Sequence, residues 1–434
     1  MIRFAGSDGE DVARAEDFCT RMGYESTVGA RIFLGQATDA EPTDTLLCDT
    51  NGIPLDHSSA VADAVRINTG RIEVSLVHPE FGILSRGTVG TRRSVNGTIA
   101  ACRRVAGPLA VMSLTGTAAN GQVQAADPVP RSQVLIANMS GAVRFGGRLL
   151  RAAGTYREWG CAPISEIGPD TPRLRLRGPW RNGPDRFWAD PCVGSADGQT
   201  WLFMEELIRS TGRGHIVAAP VVSGDIDTSR VRTVLANDHH LSFPQVQRHE
   251  GRWVATVETC ASQNPFYEFD AMGEPWREYD GVTPLPPHTA DPVADLACGE
   301  LIGTDARTDP DSVFVRYILR DGSWEPVLES VFVDVGWARG GGRWDRHRGW
   351  RTVQDCAGTY GRAAGLVDAA TQTVHLRRWS ASDLSEPGRW KGVHTVTWDS
   401  PGANVWVDGW RRAISPMGWR HRLKEREHLA TCQG

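Results

Sequence analysis

The residues best suited to chemistry begin in the stretch FWADPCVGSADGQTWLFMEEL, which runs from Phe187 to Leu207. It places Asp190 in an Ala-Asp-Pro sequence at the start of one predicted strand, and Glu205 and Glu206 at the end of the next. Carboxyl groups that converge on one site can divide the roles of general acid and general base. Whether these groups converge depends on whether the pattern occurs once or repeats.

Four later stretches repeat the order of a short strand, a tight glycine turn and a second strand. They read HHLSFPQVQRHEGRWVATVET, PVADLACGELIGT, ARGGGRWDRHRGWRTVQDC and GVHTVTWDSPGANVWVDGW. Strand repeats of about 40–50 residues are typical of β-propeller blades. The interval from about 185 to 415 therefore predicts five blades.

In a propeller, the first strand of each blade lines the central channel and the second strand returns to the same mouth. We therefore expect one funnel to collect carboxyl groups from first strands (Asp190, Asp295) and from second strands (Glu205, Glu206, Glu258). Further polar residues occupy comparable positions in their own units and are predicted to bind the substrate together with Glu206: His240, Arg339, Gln354, Asp355 and His394.

Each of these residues also has a purely structural interpretation. Glu205 and Glu206 could be solvated strand ends, and His394 could be a buried histidine between blades. Gln354 and Asp355 could equally hold neighbouring blades together through buried hydrogen bonds.

The elements that must position these groups divide the chain into two halves. Residues 1–155 alternate strands and helices, which favours an α/β, Rossmann-like domain with a layered, partly parallel sheet. In this part EDVARAEDFCTRMG spaces apolar residues at helical intervals, SQVLIANMSGAVRFGGRLLRAAG suits a final helix, and PLAVMSLTG is predicted to be a strand. A linker is predicted over 156–184, the all-β five-bladed propeller over 185–415 and a tail over 416–434.

Composition limits the function classes. A formal net charge of −5 does not indicate the basic surface that is typical of nucleic-acid-binding proteins. No apolar run is long enough to span a membrane, and the N-terminal stretch has no signal-peptide core, so we expect a cytoplasmic protein. The nine cysteines show no metal-binding spacing and are expected to be reduced, and we predict no metal and no cofactor.

Five motifs, ADPCVGSADGQTWLFMEEL, GHIVAAPVV, HLSFPQVQRHEGRWVATVET, TVQDCAGTYG and GVHTVTWDSPGANVWVDG, carry a resemblance in chain order. They resemble the N-terminal propeller domain of glucosamine inositolphosphorylceramide transferase and its bacterial relatives. The expected propeller is also similar to that of arabinanase, xylosidase and invertase-type glycosidases. The resemblance implies Asp190 as base or nucleophile, and Glu258 or Asp295 as acid or orienting group. ARGGGR departs from the family's Arg-Pro-Ala-Gly, which leaves the substrate open.

The N-terminal half is similar to a formyltransferase-like domain. In SLVHPEFGILSRG, His78 and Pro79 match that family's motif, but Leu76 stands where its catalytic Asn belongs. TGTAANGQVQAADPV lacks the aspartate that its counterpart carries before Gly121. The resemblance therefore implies a degenerate, structural domain.

The leading hypothesis is an enzyme that acts on a sugar or sugar-bearing metabolite through acid–base carboxyl groups. One alternative is a ligand-binding or scaffolding module whose partner enzyme is a separate protein. A second is a funnel that performs non-glycosidic biosynthetic chemistry, since a fold does not fix a function.

Overall fold

A computed structural model describes residues 2–5, 9–24, 30–34, 39–40, 44–116, 124, 127–153, 155–182, 185–259, 264–386, 390–399 and 404–414. The predicted tail over 416–434 and most of the segment 115–129 lie outside these residues. Among the described residues, no helix combines the length and the apolar character that crossing a membrane requires. Seven described cysteines are free thiols, and six of them are buried.

The N-terminal half is built on one sheet of five strands, in the order β1-β2-β3-β4-β5. Strands β1 to β3 are parallel, and the pairs β3–β4 and β4–β5 are antiparallel, so the predicted partly parallel sheet is confirmed. The elements are β1 (Ile2–Ala5), α1 (Gly9–Arg21), β2 (Ala30–Phe33), β3 (Thr45–Cys48), α2 (Ser59–Ile67), β4 (Arg71–His78), β5 (Gly82–Gly90), α3 (Val95–Arg104), α4 (Ala106–Thr115) and α5 (Arg131–Ala153).

Helix α1 follows the predicted apolar spacing, because Ala15 and Phe18 are buried within it and Met22 is buried in the turn that directly follows it. The strand predicted for PLAVMSLTG is wrong, since these residues belong to helix α4. The first six residues of α4 are all buried. A continuous apolar run of this length fits a fully buried helix as well as a strand, and periodicity alone does not separate the two.

His78 ends β4 and stands in the tight connection to β5. Its Nδ1 accepts hydrogen bonds from the backbone N–H groups of Glu80, at 3.1 Å, and Phe81, at 3.3 Å. The imidazole therefore stabilises a hairpin turn. The degenerate formyltransferase-like assignment stays a prediction.

The second half is mostly β, as predicted, and its strands form successive antiparallel sheets. The first sheet contains β7 (Arg186–Ala196), β8 (Gln199–Ile208), β9 (Arg213–Val222), β10 (Asp225–Ile226) and β11 (Arg232–Leu235). The second contains β12 (Leu241–His249), β13 (Arg252–Thr259), β14 (Phe266–Phe269) and β15 (Arg277–Tyr279). The third contains β16 (Thr289–Asp295), β17 (Glu300–Asp305), β18 (Val313–Arg320) and β19 (Ser323–Val333).

The last strands are β20 (Gly340–Asp345), β21 (Trp350–Asp355), β22 (Ala363–Asp368), β23 (His375–Ser380), β24 (Gly392–Trp398) and β25 (Val405–Ile414). Single-turn 3-10 helices cover Thr228–Arg230 and Ala381–Asp383. Strand β20 pairs with β21, and it also makes one parallel pairing with β24, from Gly342 to Val396.

The first strands of the sheets contact one another in a closed ring. Strand β7 contacts β12, β12 contacts β16, β16 contacts β20, β20 contacts β24, and β24 returns to β7. Each sheet leaves the ring as a hairpin, and the first hairpin turns at Asp197-Gly198, where both residues have positive φ. This combination is typical of a type I′ turn, which matches the twist of the flanking strands. All five first strands therefore share one centre.

The predicted linker over 156–184 contains a strand. This strand, β6 (Thr155–Ile164), pairs antiparallel with β25 over its whole length, from Thr155 opposite Ile414 to Ile164 opposite Val405. An early segment of the chain thus completes the sheet formed by the last two strands. Seven of its ten residues are buried.

The N-terminal half packs against the third sheet of the ring. Side chains of α1, α4 and β4 share one apolar cluster with those of β17, β18 and β19. Gly87 on β5 lets the backbones approach closely, because a Cβ there would lie 2.5 Å from the Cβ of Val333. Arg21 donates to both carboxylate oxygens of buried Asp305, at 3.1 and 3.0 Å. These contacts fix the N-terminal layer beside the strand ends at which β16 starts and β17 finishes.

Candidate functional site

The first strands of the ring are interrupted at matching points by a β-bulge. In β7, β12 and β16 the bulge holds Asp190, Phe243 and Asp291, each followed by proline. All three residues have positive φ, between 46° and 50°. A non-glycine residue in this region carries backbone strain, and such strain clusters at functional sites. In β24 the corresponding bulge holds His394 and Thr395.

These bulges direct a set of polar side chains to the centre of the ring, which we call the central cluster. It comprises Asp190, Glu205, Glu258, Asp291, Asp311, Arg339, Gln354, Tyr360, His394, Thr395 and Asp408. Six of these residues carry a carboxyl group, and two, Arg339 and His394, carry a cationic side chain. Because like charges at short range raise one another's pKa, this excess favours a cluster that retains protons.

His394 lies between two aspartates. Its Nδ1 is 3.2 Å from Oδ1 of Asp190 and 3.1 Å from Oδ2 of Asp408. Asp408 also accepts a hydrogen bond from the backbone N–H of Asp190, at 2.9 Å, and another from that of Thr395. The rings of Trp159 and Tyr360 lie on the imidazole with centroid distances of 4.9 and 4.7 Å. The imidazole is thus held by polar contacts at Nδ1 and by two aromatic rings, while its buried Nε2 has no hydrogen-bond partner among the described residues.

The charges of this group follow from the contacts. Burial opposes ionisation of His394, but Asp408 and Asp190 outweigh it and raise the pKa of the imidazole to about 10. Burial likewise opposes ionisation of Asp190, but His394 and the hydroxyl of Thr395 lower the pKa of that carboxyl below its usual value. Asp190 therefore remains a carboxylate next to an imidazolium.

The same three residues offer oxygen and nitrogen atoms within 4.8 Å of one another, a donor set that could hold a metal ion. The imidazole of His394, whose pKa is raised, already favours a positive charge between the two aspartates, while burial raises the pKa of Asp408. The predicted absence of a metal stays a prediction.

Glu205 reaches the cluster from the second strand of the first sheet, where it lies opposite Ala189. Burial, reinforced by the charge of Asp190, raises the pKa of Glu205 well above its ordinary value, and its carboxyl hydrogen-bonds Asp190. His240 Nε2 is 3.4 Å from Oε1 of Glu205, and His240 Nδ1 accepts from the N–H of Gly214 at 3.0 Å. A Cβ on Gly214 would lie 2.8 Å from both side chains, so glycine makes room for them.

Arg339 organises the other side of the cluster. Its Nε donates to Oδ2 of Asp291 at 2.6 Å, and its Nη2 is 3.7 Å from Oε2 of Glu258. Burial opposes the guanidinium charge, but Asp291 and the other acidic groups raise the pKa of Arg339 well above its usual value. Gln354 donates to Oδ2 of Asp291 at 2.8 Å, and the backbone N–H of Asp291 donates to Glu258 at 2.7 Å. Arg339 and Gln354 therefore fix the orientation of Asp291.

The cluster reaches solvent at one side. The side chains of Glu258 and Asp311 are 27% and 29% exposed, and that of His240 is 17% exposed, whereas Asp190, His394 and Asp408 are buried. Glu258 is therefore more accessible to solvent than Asp190 is.

The N-terminal half contacts this site indirectly. Asp311 and the carbonyl of Pro310 accept from Arg339 Nη1, at 3.4 and 3.3 Å. In the same loop, buried Asp309 accepts from Arg92 of the N-terminal half at 3.4 Å. The N-terminal layer therefore helps to hold the loop that contacts Arg339.

Three predicted site residues, Asp295, Asp355 and Glu206, lie outside the cluster. Asp295 stands at the far end of β16, opposite Glu300, and its Oδ2 accepts from Arg346 at 2.8 Å. It is four residues beyond Asp291, or about 13 Å along a strand, so it cannot share the mouth with Asp190. Asp355 follows Gln354 but pairs with Arg378 at 2.8 Å, because successive residues of a strand point to opposite faces.

Glu206 also lies apart, on the face of β8 opposite to that of Glu205. Its Oε1 accepts from Trp188 Nε1 at 2.9 Å, and its Oε2 lies 3.1 Å from Arg186 Nη1 and 2.9 Å from His215 Nε2. Burial opposes ionisation, but these donors, His215 and Trp188 first, lower the pKa of Glu206. It faces a separate cavity.

Of the predicted residues, the structure thus brings together Asp190, Glu258, Arg339, Gln354 and His394, with His240 at the rim. Asp291 and Asp408 were missed by sequence reasoning. The signal for Asp291 was present, because TADP repeats the Ala-Asp-Pro of the first unit. Asp408 stands in a Val-Asp-Gly opposite the bulge of β24, which shows only once the strands are paired.

Comparison with known proteins gives structural neighbours only. No family model matches the chain, and no curated protein matches it. Among solved structures, a β-xylosidase has a TM-score of 0.37 at 11% identity, over 53% of this chain and 93% of its own. The catalytic domain of the Coprinopsis cinerea GH62 α-L-arabinofuranosidase has a TM-score of 0.31 at 11% identity, over 56% and 83%. An α-L-arabinofuranosidase from Podospora anserina, in complex with cellotriose, has a TM-score of 0.34 at 9% identity, over 59% and 97%.

With TM-scores below 0.4, these neighbours do not decide the function of this chain. The function proposed next rests on the contacts of its own residues.

Proposed function

We propose that the central cluster carries out acid–base chemistry on a sugar or sugar-bearing metabolite. The observation that carries this proposal is the split between Asp190 and Glu205, two neighbouring carboxyl groups whose pKa values are displaced in opposite directions. Pairs of titratable groups pushed apart in this way mark acid and base assignments. Groups whose pKa is perturbed by burial together with a specific charged partner are functional-site candidates.

The roles follow from charge and position. Asp190, held as a carboxylate by His394 and Thr395, is the base or nucleophile. The acid is Glu205, which keeps its proton, or Glu258, which lies at the open side. Asp291 orients the acid from its place beside Arg339. Hydrolysis of a glycosidic bond requires one such acid and one such base or nucleophile.

The ring of first strands supports a five-bladed propeller as the scaffold. We assign residues 155–414 to it, with β24, β25 and β6 as the fifth blade, so that the ring is closed by pairing the two ends of the segment. Closure of this kind removes exposed sheet edges. The N-terminal layer is then an added domain that contacts the propeller next to its mouth.

A second candidate function is ligand binding without turnover. It is favoured by the dense pairing of Arg339, which contacts Asp291, Glu258 and Asp311, since such networks also serve only to hold a structure. The two candidates differ in whether a covalent bond of the ligand changes.

The test begins with a thermal-shift screen of the full chain against monosaccharides, nucleotide sugars, aminoglycosides and folate derivatives. A ligand at a hundred times its dissociation constant adds about 2.7 kcal/mol of stability, which such a screen detects. Turnover of each hit is then followed in Asp190→Asn, with Asp295→Asn as the matched control outside the cluster.

We expect Asp190→Asn to bind the hit and to lose turnover by about 10²-fold or more, as for the loss of a general base. Asp295→Asn should keep full turnover. Full turnover in Asp190→Asn would contradict the proposal. Binding in both variants with no turnover even in the unmodified chain would favour the second candidate.

A further inference from the structure

A cavity of about 630 Å³ lies beside the first sheet, on the side of β8 away from the central cluster. We call it the lateral cavity. Its floor is formed by Trp188, Glu206 and Val217, and its walls by the segment Trp180–Asn182, Arg186 and three residues near β11: Thr228, Val231 and Thr233. Its volume lies in the range of small-molecule sites, which is about 300–1,000 Å³.

Glu206 separates this cavity from the central cluster. Side chains alternate along a strand, so Glu205 turns to the centre of the ring while Glu206 turns to the lateral cavity. Glu206 is nearly fully buried, at 3% exposed, yet three side chains point donors at it. An oriented, charged acceptor at the floor of an open cavity is suited to hydrogen-bonding a hydroxyl group of a ligand.

The charges of the lining exclude a strongly ionic ligand. Arg181 pairs with Asp225, and Arg186 pairs with both Asp185 and Glu206. Each guanidinium is therefore already balanced by carboxylate, so a second anion would meet repulsion from these groups. A cation would gain little from Glu206, because the guanidinium of Arg186 already balances its charge, whereas a carboxylate with three donors keeps a lone pair for a hydroxyl group.

The remaining lining fits a neutral polyol. Asn182, Thr228 and Thr233 add an amide and two hydroxyl groups, which both donate and accept hydrogen bonds. Trp180 provides an indole wall that is itself supported by Trp390, at a ring-centroid distance of 3.7 Å. Its Nε1 has no hydrogen-bond partner among the described residues. A sugar ring has an apolar face and a rim of hydroxyl groups that both donate and accept hydrogen bonds. The indole wall and the amide and hydroxyl groups of the cavity match these two features.

We propose that the lateral cavity is a second binding site, for a neutral sugar unit, distinct from the central cluster. It does not depend on the central cluster being catalytic. A sugar held here would lie against the outer part of the first sheet and would leave the central mouth free.

The experiment measures binding of neutral trisaccharides to the full chain by isothermal titration calorimetry. The probes are xylotriose, arabinotriose, cellotriose and maltotriose, with galacturonic acid and glucosamine as charged comparisons. Thr228→Trp fills the cavity from its wall, and Asn182→Ala removes polar contacts without adding bulk. Thr115→Trp, at an exposed threonine of α4, controls for the added indole, and Asp190→Asn reports on the central cluster.

We expect at least one neutral trisaccharide to bind with a dissociation constant in the millimolar range or lower. Its dissociation constant should rise about ten-fold or more in Thr228→Trp and in Asn182→Ala, and stay unchanged in Thr115→Trp and Asp190→Asn.

The proposal is overturned if no neutral probe binds, if only the charged comparisons bind, or if binding survives both cavity variants. Binding kept in both cavity variants, together with turnover that Asp190→Asn abolishes, would place the sugar in the central cluster alone. That outcome would sustain the proposed function while removing the second site.

Discussion

Glu205 and Glu206 are neighbours in the chain and lie in opposite electrostatic environments. On the inner side of β8, Glu205 meets Asp190 and, beyond it, Glu258, and its pKa is raised well above its ordinary value. On the outer side, Glu206 meets Arg186, Trp188 and His215, and its pKa is lowered. Burial opposes ionisation of both carboxyl groups and encloses Glu205 more deeply than Glu206, which borders the lateral cavity, but the opposite directions of the two pKa shifts need the neighbours as well.

The difference lies in the balance of neighbours. A buried carboxyl surrounded by hydrogen-bond donors gives up its proton, whereas one beside other carboxyl groups keeps it. The central cluster can therefore both take up and release protons, and the lateral cavity offers a fixed acceptor.

The largest expected effect comes from removing His394, which contacts Asp190 on the inner side of the first sheet. His394→Ala leaves Asp190 and Asp408 buried without their shared cation. We expect it to cost about 3–5 kcal/mol in the free energy of unfolding, the range for losing one partner of a buried ion pair. The measurement is denaturant unfolding followed by tryptophan emission, which reports on the ring because every tryptophan lies at Trp159 or beyond.

His347→Ala, at an exposed histidine, is the control and should cost less than about 0.5 kcal/mol. The cost of His394→Ala should also depend on pH. Folding raises the pKa of His394, so its contribution is complete below about pH 6.5 and declines as the pH rises towards 10. A cost that grows over this range would contradict an imidazolium between the two aspartates.

A substitution on the outer side of β8 should cost less unfolding free energy than the loss of His394. Glu206→Gln keeps the shape of the side chain but removes the charge that Arg186, Trp188 and His215 contact. We expect a cost of about 1.5–3 kcal/mol at neutral pH, the range for hydrogen bonds to a charged group. The same unfolding experiment measures it, and a cost no larger than that of Glu205→Gln would remove the contrast between the two sides.

The dependence of these costs on pH should have opposite signs. Folding lowers the pKa of Glu206, so its stabilisation is present above about pH 4.3 and is lost as the pH falls below that value. Folding raises the pKa of Glu205, so the unmodified chain loses stability as the pH rises from about 4.3. With rising pH, the cost of Glu206→Gln should therefore grow and that of Glu205→Gln should shrink. Parallel trends in the two variants would show that both glutamates share one charge state.

The smallest expected effect at neutral pH is that of Glu205→Gln. Glutamine resembles the protonated form that the raised pKa of Glu205 favours, and its amide can donate to Asp190 in place of that proton. We expect a change of less than about 1 kcal/mol in unfolding free energy, measured as before. A loss equal to that of Glu206→Gln would mean that Glu205 is charged, and would leave Glu258 as the acid.

The fold and the site were predictable to different degrees. Helix α1 follows from the spacing of Ala15, Phe18 and Met22, but α4 does not, because an unbroken apolar run carries no period. Strand β6 was hidden in a stretch that reads as a linker. Its partner β25 lies some 250 residues later, and such distant pairing leaves no local signal.

The sequence by itself determined the repeat of hairpins and the carboxyl groups that they carry, because strand alternation and Asp-Gly turns are local properties. Only the tertiary structure decided which of those groups meet. Asp291 rather than Asp295 joins Asp190, and Glu205 rather than Glu206 faces the centre. The reason is that the position of each bulge and the face of each strand depend on pairing and on neighbouring sheets, and these also set which carboxyl groups keep their protons.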